Sequence, residues 1–237
     1  TARSRGLGDV YKRQVLGKLV RIYDPFIPAI AGDGSGPEGH PREFWPKNPT
    51  QATPESIYRG KILYNTYCAA CHGDNGVSAN PVWPKLAGQN AKYLSAQLYE
   101  FRKGSNGDRN NAVMYGIAAV LSDEDIEDLS AYYESLEKSI GTVDDKYLEQ
   151  GQNMYRGGNL EYSIQACMAC HGPNGQGNSL AGIPMLSGQH SEYIYTQLKN
   201  FQSDIRSNDH NKMMRNIVSR MSDKEMKAVS EYIEGLY

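Results

Sequence analysis

Cys68-Ala-Ala-Cys71-His72-Gly73 returns 99 residues later as Cys167-Met-Ala-Cys170-His171-Gly172, and this repetition constrains the chain more than any other feature. Past a single inserted residue the offset becomes 100 and holds. Leu86-Ala-Gly88-Gln89 then matches Leu186-Ser-Gly188-Gln189, and Tyr93, Gln97, Leu98 and Phe101 match Tyr193, Gln197, Leu198 and Phe201. Met114 matches Met214, and Leu121-Ser122-Asp123 matches Met221-Ser222-Asp223. Upstream, Gly60 and Tyr64 match Gly151 and Tyr155 at an offset of 91, so the second copy carries eight extra residues around 156–163. Identities in fixed order over about 85 residues mean a duplicated structural unit. They predict two tandem domains of one fold, at 53–140 and 141–237, with Gly141-Thr142 as a short linker.

The remainder of the chain stands outside the repeat. Residues 15–52 read as a linker or extension, Gly/Pro-rich at 32–41 and again at Pro46 and Pro49. Residues 1–14 have no apolar periodicity and read as a non-native leader resembling translated adapter sequence; the alternative is a genuine basic arm. With no starting Met and no signal peptide, the chain is expected to be a fragment or a processed product. The most apolar early segment, 15–30, is broken by Lys18, Arg21, Asp24, Pro25 and Pro28, and nothing approaches the ~20 apolar residues of a membrane span. A membrane attachment would need a segment that is not present.

Both copies read as helical. Thr53-Pro54-Glu55 places an N-cap before Pro at the first helical position. The helix behind it carries Ile57, Tyr58, Ile62 and Tyr64 towards the first cysteines. Residues 90–103 put Tyr93, Gln97, Leu98 and Phe101 at helical spacing, with Gly104 placed to end the helix. Ser122-Asp-Glu-Asp125 opens a helix to about Lys138 that presents Ile126, Leu129, Tyr133 and Leu136 on one face. Ser222-Asp-Lys-Glu225 repeats it with Met226, Val229, Tyr232 and Ile233. No strand pattern appears, so the fold class is all-α, three or four short helices and long loops per domain. A protein-only core of under ~100 residues with such loops is marginal, so something else must fill the middle. The 17 Tyr against 4 Phe and 2 Trp suit such a domain, since a tyrosine has an apolar ring and a polar tip; a neutral bias is the alternative.

All four cysteines lie in Cys-x-x-Cys-His, the attachment signature of c-type haem. Two thiols one helical turn apart can each form a thioether to a haem vinyl group, and the adjacent imidazole then faces the iron. Cys68, Cys71 and His72 would hold one haem and Cys167, Cys170 and His171 a second. Three alternatives stand beside this. A thioredoxin-like pair needs a βαβ setting, absent here. Zinc needs four ligands, where this motif offers three at crowded spacing. Two disulfides leave the repeated His unexplained.

Electron-transfer haem takes a second axial ligand, often Met, which raises the reduction potential. Met114 lies 42 residues after His72 and Met214 lies 43 after His171, and the difference equals the one inserted residue. Met213 is a rival to Met214, and core filling is the ordinary use of the other methionines. Pro84 and Pro184 also align; a carbonyl there could accept Nδ1–H of the proximal His and fix the ring, the alternative being a plain turn proline at each. His40, His190 and His210 have no repeat partners and read as surface or loop histidines.

These residues resemble a known family. The doubled Cys-x-x-Cys-His-Gly, the Pro-x-Leu-x-Gly-Gln segments, the Met before Leu/Met-Ser-Asp and the closing helix are similar to dihaem cytochromes of the cytochrome c-four type, over roughly 54–237. The resemblance implies two class I cytochrome c domains related by pseudo-twofold symmetry, with two covalently bound haem c groups and His/Met iron in each. It implies that Pro84 and Pro184 support the proximal histidines. It also implies a periplasmic protein, soluble or loosely membrane-associated, that passes electrons towards a terminal oxidase. Its donor would be a quinol-oxidising complex or a dehydrogenase.

Other function classes are weighed by the same residues. A net charge of −2 excludes a strongly basic nucleic-acid binder. Counts of 8 basic against 11 acidic residues over 54–140, and 9 against 11 over 141–237, leave no dipole between the halves to steer a partner. A dihaem enzyme needs an exchangeable ligand on one iron, against which stands a Met at the aligned position of both copies. No catalytic residue is therefore expected. The cytochrome subunit of a larger dehydrogenase, such as a sulfide-oxidising flavocytochrome, would carry the same haem chemistry and stays open. The insertion at 156–163 is either a docking loop or a neutral surface loop.

Overall fold

The computed structural model describes residues 52–237. The expected leader, nearly all of the 15–52 extension and His40 lie outside the described residues. The first repeat forms α1 (Pro54–Tyr67), α2 (Ala69–His72), α3 (Ala91–Arg102), α4 (Ala112–Ala118) and α5 (Asp123–Ser135). The second forms α6 (Asp145–Gly157), α7 (Met168–His171), α8 (Ser191–Gln202), α9 (Met213–Val218) and α10 (Asp223–Glu234). Each half thus has five α-helices rather than three or four. The extra one in each is the single turn that holds the Cys-x-x-Cys-His motif, too short to leave a periodic signal. The described residues contain isolated β-bridges and no strands. No helix among them is long and apolar enough to cross a membrane.

The helix starts follow from local chemistry. Thr53, Ser122 and Ser222 each cap a helix through the side-chain oxygen, and residues Ser56, Asp125 and Glu225 bond back to complete a capping box. The end of α5 depends on packing instead. Helix α5 stops at Ser135, short of the expected Lys138, because Leu136 turns into extended backbone and packs against the first core.

In each half the first and last long helices cross closely. Gly60 on α1 lies against the backbone of Asp128 on α5, and Gly151 on α6 lies against Ala228 on α10, so near that a Cβ at either glycine would collide with a main-chain carbonyl. Arg59 closes the first crossing with two bonds to the buried Asp128 carboxylate, at 2.6 and 3.0 Å. Beside each glycine crossing a fully buried tyrosine, Tyr64 or Tyr155, stacks at a tilt on Tyr132 or Tyr232. This crossing sets which face of α1 is buried. Its buried stripe is Ser56, Gly60 and Tyr64, while Tyr58 and Ile62 are exposed.

Two cores result. Tyr64, Leu94, Leu121, Ile126, Leu129, Tyr132 and Tyr133 form the first. Met154, Tyr155, Phe201, Val218, Met226 and Ile233 are among the residues of the second. The segment between the halves is not a free tether. Gly141 N–H donates to Glu234 O at 2.9 Å and Lys138 Nζ to Ser187 Oγ at 2.9 Å. The 156–163 insertion forms the end of α6 and an exposed loop, with Leu160 and Tyr162 outward.

Candidate haem-attachment sites

Each Cys-x-x-Cys-His motif occupies one helical turn, which ends because the next residue, Gly73 or Gly172, adopts φ near +80°. That conformation suits glycine. The chain then folds back: Gly76 O accepts Leu86 N–H at 2.7 Å, and Gly175 O accepts Leu186 N–H at 2.7 Å. The loop so closed carries Pro84 or Pro184 over the imidazole. His72 Nδ1 lies 2.9 Å from Pro84 O, and His171 Nδ1 lies 3.0 Å from Pro184 O. Since a carbonyl only accepts, Nδ1 must carry the proton in both rings.

Both imidazoles are buried. Burial lowers their pKa values against the smaller opposing effect of the Pro carbonyl, so the rings are neutral near pH 7, as a metal ligand must be. With Nδ1 committed, Nε2 has no hydrogen-bond partner among the described residues. It is not sealed in by protein either, since Ser139 Oγ is the fully occluded side-chain polar atom without a partner there. A buried, neutral, oriented imidazole with one open nitrogen fits an axial iron ligand.

The thiols complete the test. All four are free of disulfides, Cys68 and Cys167 half-buried, Cys71 and Cys170 exposed. Burial pushes the Cys167 thiol up to about 12 and raises that of Cys68, which disfavours the thiolate that a reactive dithiol or a zinc site uses. No group of three or more His, Cys, Asp or Glu among the described residues is arranged for a metal ion. The donor set fits a haem held by thioethers and one imidazole.

The aligned methionines sit on equivalent short helices, Met114 on α4 and Met214 on α9, both partly buried. Met214 packs against the second core, whereas Met213 is 48% exposed. Val113, at the position of Met213 in the first copy, is exposed as well.

Several residues were given no role from sequence. Tyr64 OH accepts Gly76 N–H at 3.0 Å, and Tyr155 OH donates to Gly172 O at 2.7 Å, so each buried tyrosine ties the core to the loop behind its motif. Their place in the repeat was the available signal. His190 lies in a loop, the second of the two places expected for it, and is mostly buried; its Nε2 lies 2.9 Å from Ser78 O in the other half. His210 is exposed, as expected. Between the halves, Arg109 donates to Gln97 and Tyr193, and Arg206 to Gln97, Gln197 and Tyr93, at 2.7–3.1 Å.

A family model described as cytochrome c matches residues 57–137 and again 149–236. Fold and motifs therefore define a class, the proteins built of two c-type haem domains. A "Cytochrome c4" of Thiocapsa roseopersicina is 43% identical over 178 residues, 75% of this chain and 91% of that protein. A "Thiosulfate dehydrogenase electron acceptor" of Stutzerimonas stutzeri strain A1501 is 38% identical over 174 residues, 71% of this chain and 78% of that one. The crystal structure of reduced recombinant cytochrome c4 from Pseudomonas stutzeri matches with a TM-score of 0.74 at 40% identity, covering 76% of this chain and 98% of that one. The chain belongs to the cytochrome c family, as a dihaem cytochrome of the c4 kind. Its cofactors are two covalently bound haem c groups, and it is an electron-transfer protein.

Proposed function

We propose that His72 with Met114, and His171 with Met214, are the axial ligands of the two irons, and that the chain carries single electrons in the periplasm towards a terminal oxidase. A haem c bound at each site supplies an iron that gains and loses one electron. The surrounding residues keep that exchange repeatable. Cys68, Cys71, Cys167 and Cys170 anchor through thioethers that survive both redox states. Pro84 and Pro184 hold each proximal ring in one tautomer and one orientation. The doubled His-to-Pro geometry is the observation that carries the reading. The inward packing of Met214 beside an exposed Met213 favours Met214 as the second distal ligand.

The test is the weak red charge-transfer band of methionine-ligated ferric haem. Its intensity should correspond to two haems, and Met214→Ala should halve it. A full band in that variant would move the ligand to Met213.

A second reading concerns the electron donor. The relatives named as thiosulfate dehydrogenase electron acceptors favour a dehydrogenase in that place. Oxidised protein mixed with a thiosulfate dehydrogenase and thiosulfate should then be reduced within the enzyme's turnover time. Reduced protein added to oxidase-containing membranes should be reoxidised on the carrier reading. Failure of the second step would remove the oxidase as acceptor.

A further inference from the structure

Gln89 and Gln189 each reach across into the other half. Gln89 Oε1 accepts Met185 N–H at 2.7 Å while its Nε2 donates to Met185 O at 2.8 Å. Gln189 Oε1 accepts Lys85 N–H at 2.9 Å while its Nε2 donates to Lys85 O at 2.8 Å. Both amides are buried. The positions they grip are those after Pro184 and Pro84. The N–H of Lys85 and the C=O of Pro84 are the two ends of one peptide group, and the same holds for Met185 and Pro184.

Two unbroken chains of hydrogen bonds follow. One runs from Gln189 Oε1 through the 84–85 peptide to His72 Nδ1, and the other from Gln89 Oε1 through the 184–185 peptide to His171 Nδ1. A peptide whose N–H is bonded is polarised, and its oxygen becomes a better acceptor. A stronger bond at Nδ1 makes the imidazole a more basic ligand. That favours the oxidised iron and lowers the reduction potential.

We propose that Gln89 and Gln189 are positioning residues acting in trans: each sets the proximal histidine, and so the potential, of the haem in the other half. This rests on the ligand roles given above to His72 and His171. Docking of the halves and tuning of the irons are then one device. A loosened contact would raise both potentials, and a change to one glutamine would move only the opposite haem.

The experiment is a redox titration of the full-length holoprotein followed by NMR, with the ring-current-shifted methyl signals of Met114 and Met214 reporting the two haems separately. Gln189→Ala should raise the midpoint of the haem at His72 and leave the haem at His171 unchanged; Gln89→Ala should do the reverse. The expected change is about threefold in the one-electron equilibrium, ~30 mV at ~59 mV per factor of ten. Gln189→Glu keeps an acceptor for Lys85 N–H and should hold the His72 haem at or below its native potential. Asn208→Ala removes a cross-half bond to Gln97 that touches neither peptide, and should move neither haem. A shift in the variant's own half, an equal shift in both, or no shift would overturn the inference. Absence of both methyl signals in the unmodified protein would overturn the methionine ligation alone, and the shifted haem methyl signals would then report the two midpoints.

Discussion

Arg109 and Arg206 are paired by an antiparallel bridge between the two halves, both buried, and neither has a carboxylate partner among the described residues. Tyrosine, glutamine and asparagine oxygens accept from them, and each guanidinium stacks on a phenylalanine, Phe101 or Phe201. Burial and the charge of Arg109 push the pKa of Arg206 down. Two like charges in one dry cluster are costly unless well hydrogen-bonded.

Tyr93 records that field. Burial alone would raise its pKa, but Arg206 and Arg109 outweigh burial and hold it below the usual value. One tyrosine should therefore ionise at a lower pH than a free phenol, at about 10, in an ultraviolet difference titration. Its phenolate contributes stability that is complete above the unfolded value and lost as the pH falls through the depressed folded one. Arg206→Gln or Tyr93→Phe should abolish the early step; its survival in both would place the phenol elsewhere.

The helix crossings have no room to spare. Gly60→Ala and Gly151→Ala should each destabilise their own half by about 1–3 kcal/mol, the usual cost of overpacking, because the obstacle is backbone rather than a movable side chain. Guanidinium unfolding followed at the haem of each half measures this. An unchanged midpoint would mean that the helices separate freely.

Tyr64→Phe strips the partner from the buried Gly76 N–H, at a cost of about 1–3 kcal/mol. Tyr155→Phe leaves Gly172 O short of a donor in the second half. The two variants should lower the stability of different halves, read from the same unfolding curves.

Acid stability has a specific contributor in Glu234. Burial would raise its pKa, but the Ser191 amide, Lys85 and His190 together hold it below the usual carboxylate range. The unfolded carboxyl titrates at about 4.3. Its contribution is therefore complete above that value and drains away as the pH falls through the lower folded one. Glu234→Gln should cost about 1 kcal/mol near neutrality and flatten the acid limb of the stability curve. An acid limb identical to that of the unmodified protein would exclude this role.

Blocking haem attachment should unfold the half concerned. With Cys167 and Cys170 both changed to Ala, far-ultraviolet circular dichroism should lose roughly half of its helical signal, because a domain this small cannot keep its fold on protein contacts alone. Full retention of helix would show that the second core is sufficient.

What the sequence disclosed follows from how local each feature is. Caps such as Thr53 and Ser222 were legible because a helix start is settled within four residues. The haem motifs, and the equivalent positions of Met114 and Met214, were legible because duplication displays them twice. The buried face of helix α1 was not legible, since its stripe of Ser56, Gly60 and Tyr64 is small where it meets α5, and Ile57, Tyr58, Ile62 and Tyr64 do not mark out one face. His190 has no counterpart in the first copy and so gave no sign of reaching Ser78. The glutamines stood out only as repeated letters. Their bonds run between residues about 100 positions apart and exist only once two domains have docked.

The crossed glutamine grip bears on how such a protein can be altered. Neither copy is self-sufficient, because each lends an amide and borrows one. Cutting the chain between the halves would leave two pieces, each with a loose peptide behind its histidine and a buried glutamine bare to water. A replacement at position 85, 89, 185 or 189 is felt in the opposite copy, so the duplicates can be edited as a pair but not one at a time.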